Sequence, residues 1–309
     1  MRSRAARTLQ TRVLEQVRVQ GLWSPGQTVA IGVSGGVDSI VLMHLLQRTQ
    51  RAHGGQLVVM SINHGLRAES ASEVEMVRAQ CEMLGLPFES RDLRIEKGSN
   101  LAERARLARR TALESLGTDR VATAHHRDDQ AETVLYHLLR GSGMQGLKGM
   151  SARSGVWVRP LLRESKQVLL DWANQEGLQW MDDPSNPASQ RGELRRLMPA
   201  LDAVHGGAAG ALARSARLLA REDAFLSRLA DEAWERSVTD QGLDRRRLAE
   251  APEAVQLRLL RRLVDDPSVR ADPLEAVVAG ALEGNGRLDL GGGMVLRCQD
   301  GHLTVERSS

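Results

Sequence analysis

The stretch Ser34-Gly35-Gly36-Val37-Asp38-Ser39 (SGGVDS) decides the fold class, because of the segments on either side of it. It follows the apolar run 28–33 and precedes a leucine-rich run over 40–46, a pattern that predicts a strand, a turn and a helix. The two glycines allow the backbone to approach an anion closely, and the helix start offers unpaired N–H groups. We therefore predict a phosphate-binding loop, with an ordinary strand-to-helix turn as the structural alternative.

Two hydroxyls and one carboxylate give this loop its chemistry. Ser34 and Ser39 add hydroxyl donors, and Asp38 is the one anionic group, suited to hold Mg²⁺ beside phosphate. The loop has neither the Gly-Lys-Ser/Thr ending of a Walker A motif nor the GxGxxG pattern of a dinucleotide-binding turn. A phosphate ligand with Mg²⁺ is therefore expected in a loop of another type.

The composition is typical of a soluble globular protein with one or two domains. The 309 residues are 41% hydrophobic and 26% charged, and no run approaches the ~18 apolar residues of a membrane span. No apolar segment follows the basic N-terminal residues, so a secretory signal is not expected. Cys81 and Cys298 form no CxxC pair, and Cys81 falls on an apolar helical stripe, which indicates an inert thiol and a reducing cytoplasm.

Arginine is unevenly distributed, although the net charge is only +3. Clusters occur within residues 104–110, 191–196, 245–247 and 258–262. Such clusters suit contacts to an RNA backbone, but 42 basic residues against 39 acidic ones also produce solvated basic faces by chance. Charge alone leaves both interpretations open.

The chain up to about residue 200 alternates strand-like and helix-like segments, which predicts an α/β fold with a doubly wound parallel sheet. The expected strands cover 28–33, 56–62, 88–93, 120–124 and 156–158. Beyond the glycine-rich stretch 206–210 the sequence is rich in Ala, Leu and Arg, and it ends in short strand-like segments. We expect a catalytic domain over 1–205 and a smaller, mainly helical domain with a terminal hairpin over 206–309.

Residues 125–133, His-His-Arg-Asp-Asp-Gln-Ala-Glu-Thr, follow the fourth predicted strand, at the edge where such sheets bind ligands. Asp129 and Glu132 are three residues apart and share a helical face. Two carboxylates with no built-in partner suit a cation, either Mg²⁺ or an ammonium group. Asp128 and Asp129 could also serve only to cap the helix. Capping leaves the adjoining histidines unexplained, which favours a functional site, and without a cysteine or HExxH pattern zinc has little support.

Two further polar segments have weaker patterns. Residues 63–67, Asn-His-Gly-Leu-Arg, follow the second predicted strand, and His64 could donate to phosphate or only satisfy nearby backbone. Asp183-Pro-Ser-Asn186 is by itself a turn, and Arg191 follows it. Neither segment alone identifies a function.

Taken together and in this order, the four segments are specific. SGGVDS resembles the pyrophosphate loop of the N-type ATP pyrophosphatases (PP-loop superfamily), which cleave ATP between the α and β phosphates. With NHGLR, AHHxDDxAET and DPSN followed by Arg191, the chain resembles the shorter members of the tRNA(Ile)-lysidine synthetase family. That family joins lysine to C2 of the wobble cytidine of an isoleucine tRNA. The resemblance implies ATP, Mg²⁺, L-lysine and tRNA(Ile) with a CAU anticodon as ligands, no membrane partner, and a homodimer as an open alternative.

The resemblance also implies a role for each candidate residue. The SGGVDS loop holds the ATP phosphates, with Asp38 for Mg²⁺. Asp129 and Glu132 are the candidates for lysine recognition. The remaining site residues are expected near the reacting centre or on nucleotide and tRNA phosphates: His125, His64, Arg106 and Arg191.

Two positions depart from the family pattern. Gly192 stands where an asparagine usually follows the arginine, and Arg110 stands where an aromatic residue is common. These departures bear on tRNA docking more than on ATP use. Two alternative functions are kept: a thiolating PP-loop enzyme, which would need suitably placed cysteines, and a non-catalytic RNA-binding paralogue, which would not need the acidic residues.

Overall fold

The computed structural model describes residues 8–63, 70–93, 101–181, 190–266, 269–282 and 284–307, without the side chains of residues 70, 71, 102, 190 and 191. His64, the turn at 183–186 and the side chain of Arg191 lie outside the described residues, so the roles expected of them stay predictions. The chain divides into two units, Met1–Arg217 and Leu218–Ser309. This division falls inside one long helix, later in the chain than the predicted border at 205/206.

The first unit alternates helices and strands. Its elements, with the whole of the helix that crosses the border, are α1 (Leu9–Val19), β1 (Thr28–Val33), α2 (Val37–His53), β2 (Gln56–Asn63), α3 (Ser70–Leu84), β3 (Phe88–Asp92), α4 (Leu101–Glu114), β4 (Arg120–Ala122), α5 (Arg127–Leu139), α6 (Met144–Leu147), β5 (Arg153–Ser154), β6 (Trp157–Val158), α7 (Lys166–Gln175), α8 (Gln190–Val204) and α9 (Ala208–Ser237). Each of the five predicted strands is present; β1 has the predicted bounds, and the other four differ at one end by one or two residues.

The sheet of the first unit has the order β3-β2-β1-β4-β6-β5. β1 pairs in parallel with both β2 and β4, which confirms the predicted doubly wound parallel sheet. The central strand is buried on both faces, since helices cover such a sheet on each side. β5, which the sequence pattern does not predict, pairs antiparallel with β6. A strand of two residues is too short for a periodic signal, and Gly155, with φ of 59°, begins the turn that joins it to β6.

Buried apolar side chains hold the helices on this sheet. α3 contributes the predicted stripe, in which Val77 and Cys81 are fully buried. Burial raises the pKa of the Cys81 thiol to about 11, because the thiolate would lose its hydration. Cys81 therefore behaves as the inert core residue that its position in the sequence predicts.

The second unit combines helices with an antiparallel sheet. Its remaining elements are β7 (Val238–Thr239), β8 (Gly242–Asp244), α10 (Arg245–Ala249), α11 (Glu253–Val264), α12 (Ala271–Val278), β9 (Gly286–Gly291), β10 (Met294–Gln299) and β11 (His302–Arg307). The sheet order is β7-β8-β11-β10-β9. The expected terminal hairpin is thus extended by β9 and by a second hairpin formed by β7 and β8. No described helix is both long and apolar enough to cross a membrane.

Candidate active site

The loop between β1 and α2 presents a helix start at the carboxyl edge of the sheet. Gly35 has φ of 83°, a conformation that other residues rarely adopt, and Gly36 is the N-cap of α2. Ser39 Oγ donates to the Gly36 carbonyl at 2.8 Å and accepts from the Ser34 N–H at 3.2 Å, which ties the loop across its turn. The first N–H groups of α2 and the positive end of its dipole therefore form an anion site.

Helix α5 begins with a capping box that uses one of the predicted site carboxylates. The ring of His126 accepts from the Asp129 N–H at 3.4 Å, and Asp129 Oδ2 accepts from the His126 N–H at 2.9 Å. The N-cap is thus His126, whereas the sequence pattern predicts Asp128 or Asp129. Asp128 Oδ2 instead accepts the backbone N–H of Lys166 at 2.9 Å, which joins the starts of α5 and α7.

The buried ring of His126 links the phosphate loop to the acidic pair. Its Nε2 lies 3.6 Å from Asp38 Oδ2 and 3.5 Å from Asp129 Oδ2. Burial alone would lower the pKa of His126, but the nearby carboxylates of Asp38, Asp129 and Asp128 outweigh it and raise the pKa. The capping geometry is that of the neutral ring protonated on Nε2. A second proton on Nδ1 would replace the cap with a contact to Asp128 Oδ2, 3.7 Å away.

The acidic pair already holds a cation. Arg195 on α8 donates from Nε to Glu132 Oε1 at 2.6 Å, and its Nη2 lies 3.7 Å from Asp129 Oδ1. The Glu132 side chain is 4% exposed and the Arg195 side chain 47%. The hydrogen bond to Glu132 is the main cause that raises the pKa of Arg195. The expectation of two carboxylates with no built-in partner is therefore wrong, because a carboxylate as buried as Glu132 needs a cation beside it.

Asp38 also has a cationic partner, one that sequence reasoning missed. Lys166, the first residue of α7, donates from Nζ to both Asp38 oxygens, at 2.7 and 2.8 Å. Burial would raise the pKa of Asp38, but the nearby His126 ring and the hydrogen bonds and charge of Lys166 lower it. The only signal in the sequence is a serine followed by a lysine at a helix start. Nothing in that signal shows a pairing with a residue 128 positions away.

The start of α7 is fixed by two further elements. The Glu164 carboxylate accepts a forked pair of hydrogen bonds from Arg12 on α1, the shorter at 2.7 Å. The Glu164 carbonyl accepts from the Arg127 N–H at 2.7 Å, and Ser165 caps α7. Lys166 therefore begins its helix at a position set by α1, α5 and its own cap.

His125 and Arg106 lie on two different segments, the first just before α5 and the second on α4. His125 Nδ1 is 2.9 Å from Thr123 Oγ1, just before the cap of α5. Arg106 is exposed on α4. It is close enough to Arg159 that its charge, with that of Arg110, adds to the effect of burial and lowers the pKa of Arg159. The structure thus joins Asp38, Asp129 and Glu132 through the shared partners His126 and Arg195, and it places Arg106 on a different helix.

Asp38 is suited to Mg²⁺ only in company with phosphate. Within the described ranges, no group of three or more His, Cys, Asp or Glu side chains could hold a metal ion by itself. Mg²⁺ commonly takes one or two carboxylates and completes its shell with water and substrate phosphates. The donor set therefore fits Asp38 as a protein ligand of a nucleotide-bound ion.

Comparison with known proteins decides the family. Residues 5–201 match the PP-loop domain model. A tRNA(Ile)-lysidine synthase from Bradyrhizobium sp. (strain BTAi1 / ATCC BAA-1182) is 38% identical over 294 residues, which cover 87% of this chain and 82% of the relative. The chain belongs to the tRNA(Ile)-lysidine synthase family.

Other similarities agree with membership of the tRNA(Ile)-lysidine synthase family. A tRNA(Ile)-lysidine synthase from Pseudomonas syringae pv. tomato is 40% identical over 218 residues, although the match spans 67% of this chain and only 49% of that relative. The solved structure of the U34-tRNA thiolase NcsA from Methanococcus maripaludis, with its 4Fe-4S cluster, shares the fold. Its TM-score is 0.55 at 22% identity, over 67% of this chain and 78% of that one. The predicted family, fold class and use of ATP are confirmed.

Proposed function

We propose that this chain ligates L-lysine to C2 of the wobble cytidine of tRNA(Ile) with a CAU anticodon, converting ATP to AMP and pyrophosphate. The observation that carries the proposal is the His126 ring, which lies within 3.6 Å of both the loop carboxylate Asp38 and the lysine-site candidate Asp129. A ligase that activates with ATP and then adds an amine needs its phosphate site and its ammonium site together. The two sites here are one side chain apart.

The reaction proceeds in two steps. The C2 oxygen of the cytosine attacks the α-phosphorus of ATP, and pyrophosphate leaves from the SGGVDS loop, whose helix start stabilises its charge. The lysine ε-amine then forms a bond to C2 while the C2–O bond breaks and AMP departs. The amine attacks after its ammonium form has lost a proton, so the site must first bind a cation and then release that proton.

Asp129 and Glu132 bind the lysine ammonium in this proposal. In the absence of lysine, the guanidinium of Arg195 occupies that position. Glu132 is almost fully buried and holds a guanidinium at 2.6 Å. Because a buried carboxylate is stable only beside a cation, the incoming ammonium takes over the contact as the guanidinium leaves. Arg195, with a side chain that is about half exposed, can return to solvent.

Asp38 and Lys166 act at the other end of the network. Mg²⁺, when bound, neutralises the charge that develops on the pyrophosphate, and Asp38 would hold it. Lys166 places an ammonium at the loop, where it can pass from the Asp38 carboxylate to phosphate oxygens. The loop residues Ser34 and Ser39, with His64, Arg106 and Arg191, complete the proposed contacts to nucleotide and tRNA phosphates.

The rival function, thiolation, lacks suitable cysteines. The chain has two cysteines, and both are buried. Cys81 lies in the core of the first unit, with a pKa raised to about 11, and Cys298 lies in the sheet of the second. Sulfur transfer needs accessible thiolates. A non-catalytic RNA-binding role has no use for the buried acidic network, which therefore supports catalysis.

The proposed substrates point to the cytoplasm, where tRNA, lysine and ATP occur together. We propose that the arginine-rich helical part of residues 206–309 contacts the tRNA, in keeping with the charge pattern of the sequence. A homodimer stays an open expectation.

Incorporation of labelled lysine tests the proposal. The purified chain, with Mg²⁺, ATP, lysine and unmodified tRNA(Ile) with a CAU anticodon, should incorporate one lysine at the wobble cytidine. A tRNA(Ile) transcript in which that cytidine is replaced by uridine is the matched control and should take up none. No incorporation, together with pyrophosphate release that depends on a different acceptor, would overturn the assignment.

A further inference from the structure

Three arginines come together where α4 covers the end of β6. Arg106 and Arg110 are one turn apart on α4, and the Arg110 guanidinium carbon lies 4.9 Å from the centre of the Trp157 ring. Arg159 follows two residues after Trp157, and its N–H donates to the Ala152 carbonyl, which continues the pairing of β5 and β6. Residues two apart on a strand face the same side of a sheet. Arg159 therefore projects towards the face that α4 covers.

Arg159 carries a charge that the described residues do not neutralise. Its Nη1 donates to the Ser151 carbonyl at 2.7 Å, and its Nε is buried without a hydrogen-bond acceptor among the described atoms. Burial, then the charges of Arg106 and Arg110, lower its pKa. Each of these conditions opposes a guanidinium and favours an anion beside it.

Arg110 is held in place by two contacts on the same face. Its Nη2 lies 3.6 Å from Glu114 Oε1, and that oxygen also accepts from Trp157 Nε1 at 2.6 Å. The Trp157 ring thus lies beneath the arginine that replaces the aromatic residue common in the family. The shared carboxylate offsets part of the charge of Arg110.

The cluster lies at the functional edge of the sheet. β6 is parallel to β4, so Arg159 follows its carboxyl end, at the edge that also carries the SGGVDS loop and the start of α5. α4 precedes β4 and runs back across the sheet, which places Arg106 nearer this edge than Arg110. An anion bound here would lie at the same edge of the sheet as the SGGVDS loop.

We propose that Arg159, Arg110 and Arg106 form a binding site for a phosphate group of a substrate, either a phosphodiester of the RNA backbone or a phosphate of the nucleotide. Arg106 is expected on phosphate from the sequence; Arg110 and Arg159 are the new members. The phosphate chemistry follows from the arginines alone, whereas its RNA source rests on the proposed function. A guanidinium with a free N–H edge binds a phosphate oxygen better than an ammonium does.

Binding measurements on the full chain test this site. Arg159→Met should weaken binding by about tenfold, for the unmodified tRNA if the phosphate is a phosphodiester and for ATP if it belongs to the nucleotide. In the first case the slope of log affinity against log salt should also decrease by about 0.7, the value for one contact to a single strand. Arg159→Lys should recover part of the loss. Arg51→Met, at an exposed arginine near the end of α2, is the control and should bind both ligands normally.

Unchanged binding of both tRNA and ATP by a folded Arg159→Met variant would overturn the site. If that variant does not fold, Arg110→Met takes its place, because the Arg110 side chain is 47% exposed. Arg110→Met should also weaken the binding of tRNA or ATP, but by a smaller factor. Unchanged affinity of this variant for both ligands would overturn the site. Wild-type chain that incorporates no lysine, while Arg159→Met still weakens RNA or ATP binding, would instead count against the proposed function and leave the phosphate site standing.

Discussion

The two edges of the parallel sheet hold their polar groups in different ways. At the carboxyl edge, Asp38 and Glu132 are paired with Lys166 and Arg195, whose side chains are 38% and 47% exposed. At the opposite edge, His53 is 4% exposed. Its Nδ1 accepts from Trp23 Nε1 at 3.3 Å and from the N–H of Gly55, and its Nε2 donates to the Leu46 carbonyl at 2.9 Å.

The difference teaches which contacts a ligand can replace. Lys166 and Arg195 are long, partly hydrated side chains, so each can leave its carboxylate at the cost of a partly exposed ion pair. The partners of His53 are two backbone groups and a buried indole, which cannot withdraw without opening the fold. In the proposed function the ion pairs of the first edge exchange with substrates, whereas the contacts of the second edge stabilise the fold.

Asp38→Asn should break the functional edge with the largest effect. The amide keeps the shape of the side chain but removes the charge that holds Lys166 and, in the proposed function, Mg²⁺, so lysine incorporation should fall about 1,000-fold, or about 4 kcal/mol. The melting temperature should change little, because Lys166 returns to solvent. Single-turnover incorporation and thermal unfolding measure both effects. Asp171→Asn, an exposed position on α7, is the control, and a normal rate in Asp38→Asn would refute the role of Asp38.

Trp23→Ala, at the opposite edge, should lower stability and leave substrate binding unchanged. Loss of the buried indole, which packs edge-on against the His53 ring, should lower the free energy of unfolding by about 3 kcal/mol. The KM values for lysine and ATP should stay normal at temperatures where the variant is folded. Denaturant unfolding and steady-state kinetics give the comparison, with the exposed Val19→Ala as control. A large rise in either KM would mean that the two edges are not independent.

Asp129→Asn should sharpen the assignment of the lysine site. The asparagine oxygen can still accept from the His126 N–H and keep the cap, while the charge is lost. The KM for lysine should rise about tenfold, or about 1.4 kcal/mol, with the ATP dissociation constant unchanged. Asp128→Asn is the matched control for charge at the same helix start. Equal weakening of lysine and ATP by Asp129→Asn would contradict a specific role in lysine binding.

Acidification should produce the smallest effect, a loss of stability that comes from His53 at the opposite edge. Burial is the main cause that lowers the pKa of His53, so the unfolded chain binds a proton that the folded chain does not. Stability is therefore lost as the pH falls through the unfolded pKa of about 6.5 towards the lower folded pKa. Melting temperatures between about pH 7.5 and about pH 5.5 should fall more in the wild type than in His53→Gln. Equal decreases would show that His53 is not the cause.

The sequence predicts the chemistry of this site better than its pairings. Parallel strands, the SGGVDS loop and the Asp129/Glu132 face follow from local patterns of apolar and turn residues, and local order is what such patterns record. The partners Lys166 and Arg195 are brought in by the docking of α7 and α8, over 128 and 63 residues of separation. A periodic pattern in the sequence carries no information about contacts between residues so far apart in the chain. The same limit explains why His126, rather than a neighbouring aspartate, is the cap of α5, and why β5 was not expected.

The most direct test of the account is the response of an Arg195→Met variant to lysine in the absence of ATP and tRNA. If lysine takes the place of the guanidinium at Glu132, the variant should bind lysine about tenfold more tightly than the wild type and gain more melting temperature from it. Arg196→Met, on the next residue of α8, is the matched control, and norleucine, which lacks the side-chain ammonium group of lysine, should have no effect. Lysine binding that is weaker in Arg195→Met than in the wild type would contradict the exchange of cations at this site.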